Sequence, residues 1–365
     1  MVNKNLIRLS KSCIGEDEKK SVLDVLETEF LGMGPKVMEF EKDLESFFQS
    51  RVSCVVNGTA ALQLALEACG IGKNDKVLVQ SLTYIASYQA ITATGAKPIS
   101  CDIDLSTMTI DIDDASKKIT SDVKAIMPVH YSGGVGDLDR IYKFAKDNGI
   151  RVIEDAAHAF GTIHNNLKIG SQGDVICFSF DGIKNITSGE GGCIVSKDDN
   201  VINYINDARL LGIQKDTEKR FQGKRSWDFN VDFQGWRYHM SNLMAAIGIE
   251  QLKKFKYFSD KRKNLAKYYE KLLSANKSIK TLGLDYELIT PHIYVIILHK
   301  NSDRKKIQAS LLENGVQTGV HYMPNHLLNF FKDSSKTKLV NTENIYEKIL
   351  TLPLHPDLSM EDIEY

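Results

Sequence analysis

The chain has 365 residues, 42% of them hydrophobic and 25% charged, with a formal net charge of −1. That length suits two domains rather than one small core, and the composition is that of an ordinary globular protein. The balanced charge excludes the overall basic footprint of a nucleic-acid binder or of a protein held on an anionic membrane, so neither partner is expected.

The opening run MVNKNLIRLSKSC has no apolar core of the signal-peptide type. No stretch approaches the roughly 18–20 apolar residues of a membrane span. Six cysteines stand at positions 13, 54, 69, 101, 177 and 193, with no Cys-x-x-Cys pair or other zinc spacing. Most sit in apolar runs such as RVSCVV and VICFSF, where a cysteine acts as a small hydrophobe. We read them as reduced core residues of a cytoplasmic protein with no metal site.

Residues 15–50 carry two helical patterns. Val22, Leu23, Val25 and Leu26 belong to the first, Val37, Phe40, Leu44 and Phe47 to the second, and GMGP at 32–35 breaks them. Strands and helices then alternate. SCVVN, KVLVQ, KPISCDID, KAIMPVHY, RVIEDA, DVICFSF and GGCIVS read as strands, with TAALQLALEACG, YIASYQAITATG and LDRIYKFAKDNG as helices between them. Such alternation predicts a mostly parallel sheet covered by helices on both faces.

After Gly235 the pattern changes. Residues 240–275 predict one or two long helices, HIYVIILHK a strand, DRKKIQASLLENG a helix and VQTGVHYM a further strand. The fold class is thus α/β: a large domain over 15–250 and a smaller α+β domain over 251–365, with residues 1–14 expected to pack with the latter. The polar run 214–230 reads as an exposed connection, with a substrate lid as the alternative. GGVGDL at 133–138 has the look of a dinucleotide turn but lacks the third glycine at the required spacing.

In open parallel sheets, ligands sit beyond the carboxyl ends of the strands. Asn57, Gly58 and Thr59 follow the first strand, Ser81, Thr83 and Tyr84 the second, Asp155 the strand RVIE, and Ser179 and Lys184 the strand DVICF. Each has a bland alternative. Thr59 lies near a helix cap, Asp155 is placed to cap the next turn, Tyr84 suits a core, His158 suits an ordinary buried histidine, and Lys184 suits a surface loop. Together they meet four chemical needs. A lysine amine forms a Schiff base with an aldehyde. A carboxylate keeps a pyridine nitrogen protonated. An N–H cradle with a hydroxyl holds a phosphate. An aromatic face covers a planar ring. Those needs describe pyridoxal 5′-phosphate.

The runs NGTAALQLAL, IEDAAHAFGT, FSFDGIKNITSGEGG and GWRYHMSNLMAAIGIEQL resemble the DegT/StrS-type sugar aminotransferases, of the aspartate aminotransferase fold. FLGMGPKVMEFE, GVHYMP and LPLHP are further landmarks in the family's order, so the resemblance spans nearly the whole chain. It implies that Lys184 forms the Schiff base and moves a proton between cofactor and substrate carbons. Asp155 would bond the pyridinium nitrogen, and His158 would lie near the phenolic oxygen. Tyr84 would cover the ring, and Gly58, Thr59 and Ser179 would bind the phosphate. His321 would be a substrate contact.

Many relatives read Asn-Tyr-Arg-Met where this chain has Arg237, Tyr238, His239 and Met240. The family's asparagine reaches the phosphate of a partner subunit's cofactor. Arg237 suits either that phosphate or the substrate's diphosphate. The chain closes on LSMEDIEY, where relatives continue into a terminal helix.

The implied activity moves an amino group from L-glutamate, through pyridoxal phosphate, to a nucleotide-linked keto-sugar, in a homodimer with shared active sites. NITSGEGG resembles the branch that aminates C4 of a 4-keto-6-deoxyhexose more than the branch that aminates C3. Products of that kind enter lipopolysaccharide O-antigen, capsule, glycan and antibiotic sugars. Two alternatives are a sugar dehydratase of the same family, whose relatives replace the lysine by histidine, and a non-catalytic pyridoxal phosphate-binding regulator. Lys184 together with Asp155 argues against both.

Overall fold

The strands predicted between residues 51 and 196 form one seven-stranded sheet in the computed structural model, which describes residues 6–225 and 227–365. Residues 1–5 of the N-terminal segment and Ser226 of the 214–230 run lie outside the described residues. In chain order the strands are β1 (Arg51–Val55), β2 (Lys76–Gln80), β3 (Lys97–Cys101), β4 (Val123–Met127), β5 (Arg151–Asp155), then a two-stranded ribbon of β6 (Ile163–His164) and β7 (Leu167–Lys168), and β8 (Val175–Ser179) and β9 (Gly192–Ser196). The large sheet has the order β1-β9-β8-β5-β4-β2-β3. Only β9 runs against its neighbours β1 and β8. The other six therefore end on one edge of the sheet.

Helices cover both faces. The helix Pro35–Phe48 buries Val37, Phe40, Leu44 and Phe48 on one stripe. Phe48 takes the innermost place predicted for Phe47, whose ring stacks on Phe160 with centroids 5.0 Å apart. The helix Gly58–Ala68 is buried along almost its whole length against the other face. The helix Glu16–Glu27 departs from the expected pattern. It turns Glu18, Ser21 and Val25 inward and leaves Leu23 and Leu26 exposed. Glu18 is tolerated inside because Lys254 Nζ lies 2.9 Å and Gln251 Nε2 2.8 Å from its carboxylate.

A buried ion pair ties β1 to the helix Pro35–Phe48 and to the end of the helix Asp199–Ala208. Arg209 Nη1 donates to Glu41 Oε1 at 2.5 Å and to the Cys54 carbonyl at 2.7 Å, with Arg209 fully buried. Hydrogen bonds to charged groups contribute about 1.5–3 kcal/mol. Glu41→Gln should therefore destabilise the protein by about that amount, read as a lower midpoint in urea unfolding with an unchanged slope.

The remaining strands, β10 (Ile279–Thr281), β11 (Tyr294–Leu298) and β12 (Ile349–Leu352), form a separate antiparallel sheet in the order β10-β11-β12. The expected long helical stretch divides at Lys254 into Asn242–Lys253 and Phe255–Leu273. VQTGVHYM is not a regular strand. It is extended, with isolated bridges from Val316 to Ile7 and from Gly319 to Thr351, because the N-terminal segment and β12 each take only one of its residues. Residues 7–9 lie against the C-terminal part of the chain, with Ile7 N bonded to Gly315 O at 2.8 Å and Leu354 N to Leu9 O at 3.1 Å. The 214–230 run is largely exposed but contains a short helix, Asp216–Phe221. The GGVGDL glycines serve close packing: a Cβ on Gly133 would lie 2.8 Å from Thr290 O, and one on Gly136 2.0 Å from Thr109 Oγ1. The six cysteines are free, four of them buried. No helix among the described residues is long and apolar enough to cross a membrane.

Candidate active site

A cleft of about 520 Å³ opens beyond the carboxyl ends of the parallel strands. Gly58, Thr59, Tyr84, Asp155, His158, Ser179, Lys184 and His321 all line it. Arg237 does not: it is exposed, and its backbone bridges that of Leu210.

Asp155 ends β5 near the middle of the sheet. Its carboxylate accepts Ser87 Oγ at 2.7 Å and Ala157 N at 3.2 Å, and Thr83 Oγ1 lies 2.9 Å from Ser87 Oγ. Ser87 is fully buried and was not singled out from the sequence. Nothing distinguishes a serine in the first turn of a helix until β2 and β5 are seen to lie two strands apart.

The helix Gly58–Ala68 starts at the same edge, with Asn57 as its cap accepting Ala60 N at 2.8 Å. Its positive end suits an anion. Ser179 lies against it so closely that a Cβ on Gly58 would sit 2.8 Å from Ser179 Cβ. On the reversed strand, a Cβ on Gly192 would sit 2.7 Å from Phe178 O. Glycine at both places lets backbone and hydroxyl meet around one spot.

Lys184 sits in the loop between β8 and β9, and other parts of the chain grip that loop. Lys184 N donates to Asp181 O at 3.0 Å. Asn185 Nδ2 bonds Phe160 O and Thr290 O, each at 3.2 Å. Arg262 Nη2 reaches Ile183 O at 3.5 Å, and Ser12 Oγ bonds Gly182 O. The amine therefore points into the cleft, with Nζ 3.4 Å from His292 Nε2.

Burial lowers the Lys184 amine to about 8, opposed by Asp155 and Asp181 and aided by Arg262. Burial and the Lys184 charge likewise hold His158 well below its ordinary value and bring His321 to about 4. These rings are neutral at pH 7. His158 Nε2 and the Tyr322 hydroxyl lie 2.9 Å apart, while buried His158 Nδ1 has no protein partner among the described residues. Tyr84 is 58% exposed at the mouth, its ring 5.6 Å from that of Tyr322. His321 Nδ1 lies 2.8 Å from Thr351 Oγ1.

The low value of Lys184 has a consequence for stability. An unfolded lysine titrates near 10.4. Between about 8 and that value the unfolded chain binds more protons than the folded one, so stability rises with pH across that window. Below about 8 the full burial penalty is present. Lys184→Met should therefore raise the melting temperature of the cofactor-free chain at pH 7, with the gain fading as pH approaches 10. Calorimetry over a pH series checks this.

The donor set fits pyridoxal phosphate: a depressed amine for its aldehyde, a seated carboxylate for its ring nitrogen, a glycine-made cradle for its phosphate, and an unpartnered histidine nitrogen. The comparisons agree. A model of the DegT/DnrJ/EryC1/StrS aminotransferase family matches residues 12–365. The chain is 34% identical over 369 residues to the spore coat polysaccharide biosynthesis protein SpsC of Bacillus subtilis, covering 96% of this chain and 92% of that one. The crystal structure of the aminotransferase TlmJ from Streptoalloteichus hindustanus superposes with a TM-score of 0.91 at 28% identity, covering 98% of this chain and 96% of that one. The putative sugar aminotransferase Spr1654 from Streptococcus pneumoniae, in its PMP form, does so with a TM-score of 0.89 at 30% identity, covering 99% and 95%, and its PLP form also matches. The chain belongs to the DegT/DnrJ/EryC1/StrS aminotransferase family and is a pyridoxal phosphate-dependent sugar aminotransferase.

Proposed function

We infer that the protein moves the amino group of L-glutamate to C4 of a nucleotide-linked 4-keto-6-deoxyhexose. The observation that carries the reaction is the meeting of Lys184, Asp155 and the Gly58–Ser179 cradle in one cleft. Lys184 would hold the cofactor's aldehyde carbon, Asp155 its ring nitrogen, and Gly58, Thr59 and Ser179 its phosphate. Tyr84 would cover the ring and His158 would face its phenolic oxygen. When bound, pyridoxal phosphate supplies an electron sink for the carbon that loses a proton. Lys184 Nζ, near 8 and hence partly neutral at pH 7, accepts and returns that proton. Glutamate and the keto-sugar use the same cleft in turn, which gives ping-pong kinetics. His321, which lines the same cleft, would contact the sugar.

The C4 assignment rests on the run NITSGEGG around the lysine. The name of SpsC, which sets it in polysaccharide biosynthesis, is in keeping with an amino sugar made for lipopolysaccharide O-antigen or another surface glycan. Arg237, exposed and not lining its own cleft, would serve the cofactor phosphate or the substrate diphosphate of a second copy in a homodimer. The test is incubation with glutamate and a panel of UDP-, dTDP- and GDP-linked 4-keto and 3-keto sugars, read by mass. A mass change matching replacement of oxo by amino should appear with a 4-keto substrate. Conversion of 3-keto sugars alone would reassign the carbon.

A further inference from the structure

Lys184 must have a resting place whenever its amine is not engaged, and its neighbour in the structure is a residue that sequence reading passed over. His292 immediately precedes Ile293 and β11 in the small sheet, 108 positions from Lys184. It is 3% exposed, and its carbonyl accepts Arg262 Nη1 at 3.1 Å. Its ring lies 4.5 Å from that of His158, and its Nε2 is 3.4 Å from Lys184 Nζ. Its Nδ1 is buried with no protein partner among the described residues.

A neutral imidazole carries one proton, and the hydrogen bond at one nitrogen ordinarily decides which nitrogen bears it. Here no protein group among the described residues holds Nδ1, so the protein's hold on the ring proton comes from the amine at Nε2. An ammonium must donate, which requires a bare Nε2. A neutral amine offers a lone pair, which an Nε2–H satisfies. We propose that His292 is a positioning residue for Lys184, holding the free amine in either protonation state by shifting its own ring proton between Nδ1 and Nε2.

The surroundings keep the ring uncharged while this happens. Burial, then the charges of Lys184 and Arg262, push His292 well below its ordinary value. Around Lys184 itself, Asp155 and Asp181 favour the ammonium, whereas burial and Arg262 oppose it. His158 and His321 face it as neutral rings, and the Tyr322 hydroxyl keeps its proton. His292 thus fixes where Nζ waits without adding a charge to the cleft.

The inference rests on Lys184 as the reacting amine, but its test needs no sugar, so a failure here leaves the C4 assignment standing. The 365-residue chain, 15N-labelled at histidine and stripped of cofactor, is titrated from pH 6 to 10 while ring nitrogen shifts are recorded. The His292 signals are assigned by their loss in His292→Gln. The expected result is a neutral ring whose proton moves from Nδ1 to Nε2 as Lys184 loses its charge, centred near pH 8. Lys184→Met, and the wild-type chain loaded with pyridoxal phosphate, should show no such exchange in that window. A single fixed tautomer, a charged ring at pH 7, or the same exchange in Lys184→Met would overturn the proposal.

Discussion

Lys184→Ala is expected to abolish turnover while leaving the fold intact. Two tasks disappear together, the attachment of the cofactor aldehyde and the movement of the proton, and the second alone supports about 10²–10⁴-fold of rate. The combined loss should be on the order of 10⁴-fold or more in kcat. The fold should survive because the loop is gripped through other atoms: Asn185 Nδ2 on Phe160 O and Thr290 O, and Arg262 on Ile183 O. The measurements are single-turnover transamination with glutamate, and circular dichroism of the same sample. A variant that still turned over at steady state would remove the amine from the mechanism. A second signature is reductive: borohydride applied to the loaded wild type should label position 184, and the alanine variant should remain unlabelled there.

The second large effect is expected for Asp155→Asn. The substitution keeps shape and volume but removes the charge that would face the ring nitrogen. Removing one member of a buried charge pair costs about 3–5 kcal/mol. If that falls on the transition state, it corresponds to roughly 10²–10⁴-fold in kcat. The cofactor should stay bound, because Lys184 and the Gly58–Ser179 cradle do not involve Asp155. The variant should therefore be coloured but slow. Absorbance reports the first property and stopped-flow mixing with glutamate the second. A colourless protein would instead mean that the carboxylate holds the cofactor in place more than it tunes it.

The layout of the large sheet was legible from the alternation of apolar strands and helices, since both faces of a parallel sheet are buried and leave continuous apolar runs. The residues at the strand ends were legible for the same reason: position along the strand names the edge. What stayed hidden depended on contacts between distant segments. Ser87 meets Asp155 across 68 positions, and His292 meets Lys184 across 108. Neither spacing leaves a periodic trace. Arg262 was hidden differently. In the polar-looking run SDKRKNLAKYY it reads as one more solvated charge, yet it is 2% exposed, with Nη1 and Nη2 on the carbonyls of Ile183, His292 and Leu354. VQTGVHYM has strand-like composition, but its partners on either side meet it at single residues, so no ladder forms. Leu23 and Leu26 read as core by type, whereas the paired Glu18 takes the inward place instead.

The loop that carries Lys184 is gripped from both directions of the chain, by Ser12 upstream and by Arg262 and His292 downstream, while Arg262 in turn leans on Leu354 near the end. During synthesis all seven strands of the large sheet have emerged once residue 196 has left the ribosome, but Met240, Ala245 and Ile249 of its core and the residues that grip the lysine loop come later. A nascent chain at that stage lacks both that part of the core and the groups that seat its reactive amine. Competence for chemistry is therefore among the last properties the polypeptide acquires, since a product ending before Arg262 would lack that grip on the lysine loop.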